Sequence, residues 1–265
     1  MSHPLLTQDH IDSYQRDGVV LIKGLLRNHV EDLCRGIQVN MTAPGDYAAE
    51  NLKPGESGRF FDDYCNWQRI PEFETVIRTS PVGEVAADLM QSKIVQVFHD
   101  HVLVKEPGTS KPTPWHQDAP YYFVEGRQTI SFWSPLDRVR EASLRCVAGS
   151  HLWHKPVLPT RWLSEENFYP DESAYMPVPD PDAEGMKIME WEMEPGDAVA
   201  FHYGILHGSR GNESTSRRRA FSLRLVGDDA RYVERPGRTS PPFPGHGMQP
   251  GQKLREDWFP VVFRR

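Results

Sequence analysis

Trp115-His116-Gln117-Asp118 sets an imidazole and a carboxylate two residues apart. In extended chain such positions share one face, so both side chains can reach a single metal ion. The pair alone is weak, because 11 histidines in 265 residues make a chance His-x-Asp common. His10-Ile11-Asp12 is such a case: it falls on a helical stretch, where positions two apart diverge by about 200°. Downstream, Pro195-Gly196-Asp197 reads as a turn into a strand, Ala198–Tyr203, followed by Ile205-Leu206-His207-Gly208-Ser209. A further histidine on a neighbouring strand would complete two imidazoles and one carboxylate. That set is the facial triad of non-haem iron(II) oxygenases, which leaves coordination positions open.

Arg218 lies eleven residues after His207 and opens another strand. By alternation Arg218, Ala220, Ser222 and Arg224 share one face, and Arg219, Phe221, Leu223 and Leu225 the other. The first face is small and polar apart from two arginines; the second can pack on an outer layer. A guanidinium inside a barrel suits a dicarboxylate co-substrate, because it binds carboxylate through paired hydrogen bonds and stays charged. The ordinary alternative for Arg218 is a surface salt bridge. Arg224 lies roughly 20 Å further along an extended strand, too far to share one carboxylate. It can meet an anionic group on the prime substrate or pair with a buried acid. Thr129, Ser131 and Trp133 alternate in the same way, as cavity-lining groups or as a plain core strand.

A competing metal site is His99-Asp100-His101 with Glu106, the spacing found in cupins. Cupins also want glycines around that motif, where this chain has Lys93 and Thr113. Two histidines and an acid could hold catalytic zinc, but a zinc hydrolase does not need the later arginine. A third possibility is a non-catalytic barrel that binds a small molecule. Phe60-Phe61-Asp62-Asp63-Tyr64 with Trp67 could hold a cationic group or be a solvated loop. Tyr121 and Tyr122, just after the metal motif, are equally open between substrate contact and structure.

The elements that position these residues change character along the chain. Thr7 can cap a helix that Gly18 ends. Val19–Ile22 reads as a strand, Asn28 precedes an amphipathic helix, and Glu72–Arg78 and Val82–Met90 read as two more. Residues 1–92 are therefore expected as a helix-rich front. Ile94–Phe98, Val102–Val104, Thr129–Pro135, Ser143–Val147, Lys187–Trp191, Ala198–Tyr203 and Arg219–Val226 read as strands between turn-rich loops. Residues 93–226 thus form a β core, and 227–265 a wrapping segment with little periodicity, all within one domain. The fold class is mainly β with flanking helices.

Net charge is −7 with acids and bases interspersed, which disfavours nucleic-acid and anionic-membrane partners. No stretch approaches the 18 or so apolar residues of a membrane span. The first residues lack the pattern of a secretion signal, and Cys34, Cys65 and Cys146 form no CxxC pair. Together these readings point to a cytoplasmic protein without a nucleic-acid or membrane partner.

The chain resembles the phytanoyl-CoA dioxygenase family of iron(II)/2-oxoglutarate oxygenases. The likeness runs from Asp17-Gly18-Val19-Val20 through Trp115-His116-Gln117-Asp118 and Gly149-Ser150-His151 to His207-Gly208-Ser209 and Arg218-Arg219-Ala220. It implies a double-stranded β-helix with His116, Asp118 and His207 on iron, and Arg218 and Ser209 on the distal carboxylate of 2-oxoglutarate. Trp133 and His101 fall near positions that contact the co-substrate in relatives. The implied reaction consumes O2 and 2-oxoglutarate, releases succinate and CO2, and hydroxylates a small molecule. Related halogenases carry a small residue where Asp118 stands, so hydroxylation is the outcome the resemblance implies. Ala142-Ser143 departs from the family's usual Asn-Gly at a loop that bears on substrate identity.

Overall fold

The structure is a computed structural model that describes residues 2–140 and 144–265. Ala142 and Ser143 therefore lie outside the described residues. Four helices, α1 (Gln8–Asp17), α2 (Val30–Thr42), α3 (Pro71–Thr79) and α4 (Val82–Met90), lie in the first third of the chain. The Thr7 hydroxyl accepts the His10 N–H, and the His10 ring accepts the Thr7 N–H. This reciprocal cap starts α1 and occupies the histidine of the helical His-x-Asp pair. Gly18 ends the helix at φ +73°, its N–H returning to the Tyr14 carbonyl. α2 starts after Asn28 because Arg27–His29 first forms one 3₁₀ turn.

Fourteen strands follow the chain among the described residues. They are β1 (Val19–Ile22), β2 (Ala49–Glu50), β3 (Phe60–Tyr64), β4 (Ile94–Lys105), β5 (Thr113–His116), β6 (Val124–Glu125) and β7 (Thr129–Pro135). The second half supplies β8 (Leu144–Val147), β9 (Ile188–Met189), β10 (Ala198–Phe201), β11 (His207–Ser209), β12 (Arg218–Val226), β13 (Arg231–Tyr232) and β14 (Val261–Arg264). A large sheet runs β1-β10-β7-β12-β4-β3-β2, with β14 also on β4; a smaller one runs β5-β11-β8-β9. The two form a double-stranded β-helix.

The large sheet has two unlike faces. Its outer face carries Phe132, Phe221, Leu223 and Leu225, which pack in one cluster with Leu33, Phe73, Val76 and Val85 of the helices. Its inner face carries Trp133, Phe201 and Ala220, which meet Leu144 and Cys146 of the small sheet. Alternation along β12 thus sends apolar side chains to the helices and the arginines inward.

Three expectations need correction. Besides the expected β1, the helix-rich front also holds β2 and β3, which extend the large sheet beyond β4. Ile94–Phe98 and Val102–Val104 are one strand, because His99, Asp100 and His101 between them are buried and paired in the ladder. The wrapping segment contributes strands: β13 pairs with β6 and β14 with β4.

Candidate metal centre and its two chambers

β5 and β11 pair with His116 directly opposite His207, bringing the ring centroids to 4.2 Å. Each ring is fixed by its own segment. His116 Nδ1 lies 2.8 Å from the Pro114 carbonyl and His207 Nδ1 2.9 Å from the Ile205 carbonyl. A carbonyl only accepts, so Nδ1 carries the proton in both rings and each Nε2 keeps a lone pair.

Asp118 is not on the strand. β5 ends at His116, and Asp118 has φ −69°, ψ −40° at the head of the single 3₁₀ turn Ala119–Tyr121. A turn, not strand alternation, brings the carboxylate to the histidines. Gln117 anchors that turn: its Nε2 donates to the Gly204 carbonyl at 2.6 Å and its Oε1 accepts the Val157 N–H at 2.8 Å. Gly204 belongs to the loop entering β11, so Gln117 couples the Asp118 turn to the strand of His207.

Asp118 Oδ1 lies 3.9 Å from His116 Nε2 and 4.0 Å from His207 Nε2. Oδ2 accepts the Ser131 hydroxyl at 3.0 Å and sits 3.5 Å from Arg224 Nε. One oxygen is held by the protein; the other faces the imidazoles. Burial pushes the His116 ring down to about 3, with His207 adding to it, and burial also lowers His207. Burial alone would raise Asp118, but Arg224 and then the two imidazoles outweigh it and hold the carboxyl below its ordinary range. Neutral imidazoles beside an ionised carboxylate are the protonation states a divalent cation requires. Among the described residues these are the one group of three His, Cys, Asp or Glu side chains with ligand atoms all within 4.8 Å of one another. Two nitrogens and one oxygen, with room left beside them, fit iron(II).

The competing histidines do not form such a group. His101 Nε2 is 2.8 Å from Asp62 Oδ2, His99 Nδ1 is 3.0 Å from the Asp100 carbonyl, and Glu106 pairs with Arg217.

An inner chamber runs from His116 and His207 between the sheets to Arg218, lined by Thr113, Trp133, Ser209 and Lys105 among others. Arg218 Nη2 is 3.4 Å from Ser209 Oγ, which reaches Thr113 Oγ1 at 3.1 Å. Burial pushes Arg218 down to about 10, which still leaves it charged at neutral pH. Lys105 stands directly across the ladder from Arg218, a residue the sequence reading passed over. Its Nζ donates to the Lys111 carbonyl at 2.9 Å and lies 4.3 Å from the Phe60 ring centroid. Burial, then Arg218, pushes it down to about 6. The signal was present: His99, His101, Leu103 and Lys105 share one face by alternation. Trp133 lies in this chamber, whereas His101 does not.

His101 lines a second, outer chamber of about 460 Å³, which also meets His116 and Asp118. Tyr64, Tyr121, Tyr122, Trp162 and Phe168 supply much of its wall. Asp62 opens onto it, accepting from Asn51 at 2.5 Å besides its contact with His101. The Tyr121 hydroxyl exchanges hydrogen bonds with Thr160 backbone at 2.7 and 2.8 Å, and the Tyr122 hydroxyl accepts Arg224 Nε at 3.2 Å. The loop bearing Trp162 and Phe168 closes this chamber and was not anticipated from sequence.

Comparisons with known proteins agree with this arrangement. The family described as phytanoyl-CoA dioxygenase (PhyH) matches residues 14–220. A probable phytanoyl-CoA dioxygenase of Caenorhabditis elegans is 28% identical, over 89% of this chain and 80% of that protein. The peroxisomal phytanoyl-CoA dioxygenase of Homo sapiens is 22% identical, over 88% and 72% respectively. Among solved structures, the epimerase SnoN in complex with Fe3+, alpha ketoglutarate and nogalamycin RO shares the fold at TM-score 0.77. That likeness spans 96% of this chain and 98% of that one at 19% identity. EctD from S. alaskensis with 2-oxoglutarate and 5-hydroxyectoine shares it at TM-score 0.70 and 17% identity, over 96% and 87%. The chain belongs to the phytanoyl-CoA dioxygenase family of iron(II)/2-oxoglutarate-dependent oxygenases.

Proposed function

We propose that this dioxygenase hydroxylates a small organic molecule held in the outer chamber while 2-oxoglutarate occupies the inner one. One observation carries the reading: the His116, Asp118 and His207 ligand atoms converge where the two chambers meet, and Arg218 lies in the inner one. His116, Asp118 and His207 would hold the metal. Bound there, iron(II) with 2-oxoglutarate and O2 supplies the oxidising chemistry that releases succinate and CO2 and inserts oxygen into a C–H bond.

The remaining residues orient and insulate. Arg218 takes the distal carboxylate of 2-oxoglutarate, with Ser209 donating beside it and Lys105 adding positive charge. Ser131 and Arg224 hold Asp118 Oδ2, which keeps the carboxylate ionised and offers the metal Oδ1 alone. Arg224 therefore serves the metal centre, and its reading as the receptor for a substrate anion is set aside. Trp133 and Phe201 wall the inner chamber against water. Tyr121, Tyr122 and Asp62 border the substrate.

No helix among the described residues is long and apolar enough to cross a membrane. The three cysteines are free, which supports the reducing cytoplasm as the compartment. The test is succinate release from 2-oxoglutarate with iron(II) and ascorbate, followed by metabolite screening for stimulation. Stimulation with one oxygen added to the product is expected. No succinate above a metal-free control supports the non-catalytic barrel, and a product without added oxygen overturns hydroxylation.

A further inference from the structure

Phe60-Phe61-Asp62-Asp63-Tyr64 forms strand β3, and alternation along it separates the two acids. Asp63 turns away to Asn40 Nδ2 and the Gly45 N–H, both at 2.7 Å, with Arg69 3.7 Å off. Asp62 and Tyr64 line the outer chamber instead. Asp62 Oδ1 accepts the Asn51 amide at 2.5 Å, and Oδ2 lies 2.8 Å from His101 Nε2. Among the described residues no arginine, lysine or backbone N–H bonds to that carboxylate. Two hydrogen bonds leave lone pairs on both oxygens, and 8% of the side chain stays exposed. Asp118, the other acid on this wall, has Arg224 at 3.5 Å and serves the metal. A buried carboxylate is costly unless a cation matches it, and Asp62 has neither arginine nor lysine to do so.

The surroundings of Asp62 are aromatic. Tyr64 stands opposite His101 across the β3–β4 ladder, with ring centroids 5.5 Å apart, and stacks on Tyr47 at 4.7 Å. Trp162 stacks on His101 at 6.2 Å. Tyr47, Tyr64, Trp162 and Phe168 all line the chamber, and aromatic faces attract cations. The Phe168 ring already has the Arg161 guanidinium 5.0 Å from its centroid. Arg224, the other arginine of this chamber, is engaged with Asp118 and Tyr122.

We infer that the prime substrate carries an amine or quaternary ammonium cation, which Asp62 receives while the aromatic wall packs on the carbons around it. An alkylammonium group there gains the ion pair and the ring faces together. A neutral ligand leaves the carboxylate uncompensated, and an anionic one opposes it. A proton on His101 would instead supply the counter-charge from within the protein, and the chamber would then not select by charge. The inference rests on the hydroxylase reading in placing the substrate in the outer chamber.

The test follows tryptophan fluorescence of the full chain, loaded with iron(II) and 2-oxoglutarate under argon. Two series are titrated at neutral pH, each cationic, neutral and anionic on one carbon skeleton. The first is cyclohexylmethylammonium, cyclohexylmethanol and cyclohexanecarboxylate; the second is phenethylammonium, phenethyl alcohol and phenylacetate. At least one cation should bind about tenfold or more tightly than its alcohol and its carboxylate. A smaller preference in both series, or no saturable binding of either cation, overturns the inference. Asp62→Asn should reduce the preference below about threefold while leaving the affinity for the alcohol unchanged. A folded Asp62→Asn that keeps the full preference also overturns it, and the wild-type series decide the matter if this variant fails to fold. Succinate release is measured on the same preparation in air. Release without preference for the cation overturns the substrate class alone; absence of release overturns the dioxygenase reading and with it the cation as substrate.

Discussion

Replacing Arg218 with glutamine removes a full charge from the inner chamber while keeping a polar side chain beside Ser209. Arg218 is only 7% exposed, so its contact with a carboxylate is desolvated and charge-assisted. Truncating one member of such a pair costs about 2–5 kcal/mol. At 1.4 kcal/mol per decade, the apparent KM for 2-oxoglutarate should rise about 30-fold to a few thousand-fold. The assay measures succinate or butyrate formation from 2-oxoglutarate and from 2-oxovalerate, which has a methyl group in place of the distal carboxylate. The wild type should prefer 2-oxoglutarate by that same factor. Arg218→Gln should reduce the preference to about tenfold or less, the residue being what Lys105 contributes. A thermal melt confirms that the variant is folded. If the folded variant keeps the full preference, or its KM moves less than threefold, the guanidinium does not bind the distal carboxylate.

Two further outcomes follow from the same geometry. Lys105, pushed down to about 6 by burial and then by Arg218, is mostly neutral at pH 7.5 until dicarboxylate binding draws a proton onto it. Affinity for 2-oxoglutarate should therefore fall as pH rises above 6, by up to about tenfold per unit. Calorimetry in buffers of different ionisation enthalpy should show proton uptake, and Lys105→Met should abolish it. The unfolded chain holds that proton up to about pH 10.4 and the native chain does not, so stability should rise with pH from about 6 to 10. Gln117→Ala strands the Gly204 carbonyl and the Val157 N–H, a loss of about 1–3 kcal/mol for each buried group. It should lower Tm by several degrees and weaken iron binding without touching a ligand; a Tm within one degree of wild type would count against Gln117 as the anchor.

How far the sequence carried depended on how local each feature is. His116, Asp118, His207 and Arg218 were legible because their order and spacing survive whatever loops intervene. The local reason given for Asp118 was wrong, since a 3₁₀ turn does what strand alternation was expected to do. β3 was missed because Phe60-Phe61-Asp62-Asp63 is buried on both faces, which erases the alternation that marks a half-buried strand. Its acids are satisfied by residues far along the chain: Asp62 by Asn51 and His101, and Asp63 by Asn40 and the Gly45 N–H. The pairing of Arg224 with Asp118 was foreseen only as "a buried acid". It spans 106 residues and exists because the turn after β5 folds over β12. The outer chamber was the least legible part, since Trp162 and Phe168 sit in a long loop with no period to read.

The central claim is that His116, Asp118 and His207 hold iron at the junction of the two chambers. Anaerobic equilibrium dialysis against iron(II) tests it most directly, with metal content read per folded chain. The wild type should take up one iron, His207→Ala should lose it, and His99→Ala and His101→Ala should each retain it. Retention of iron by His207→Ala, with loss in His99→Ala and His101→Ala, would place the metal on β4 and contradict the account.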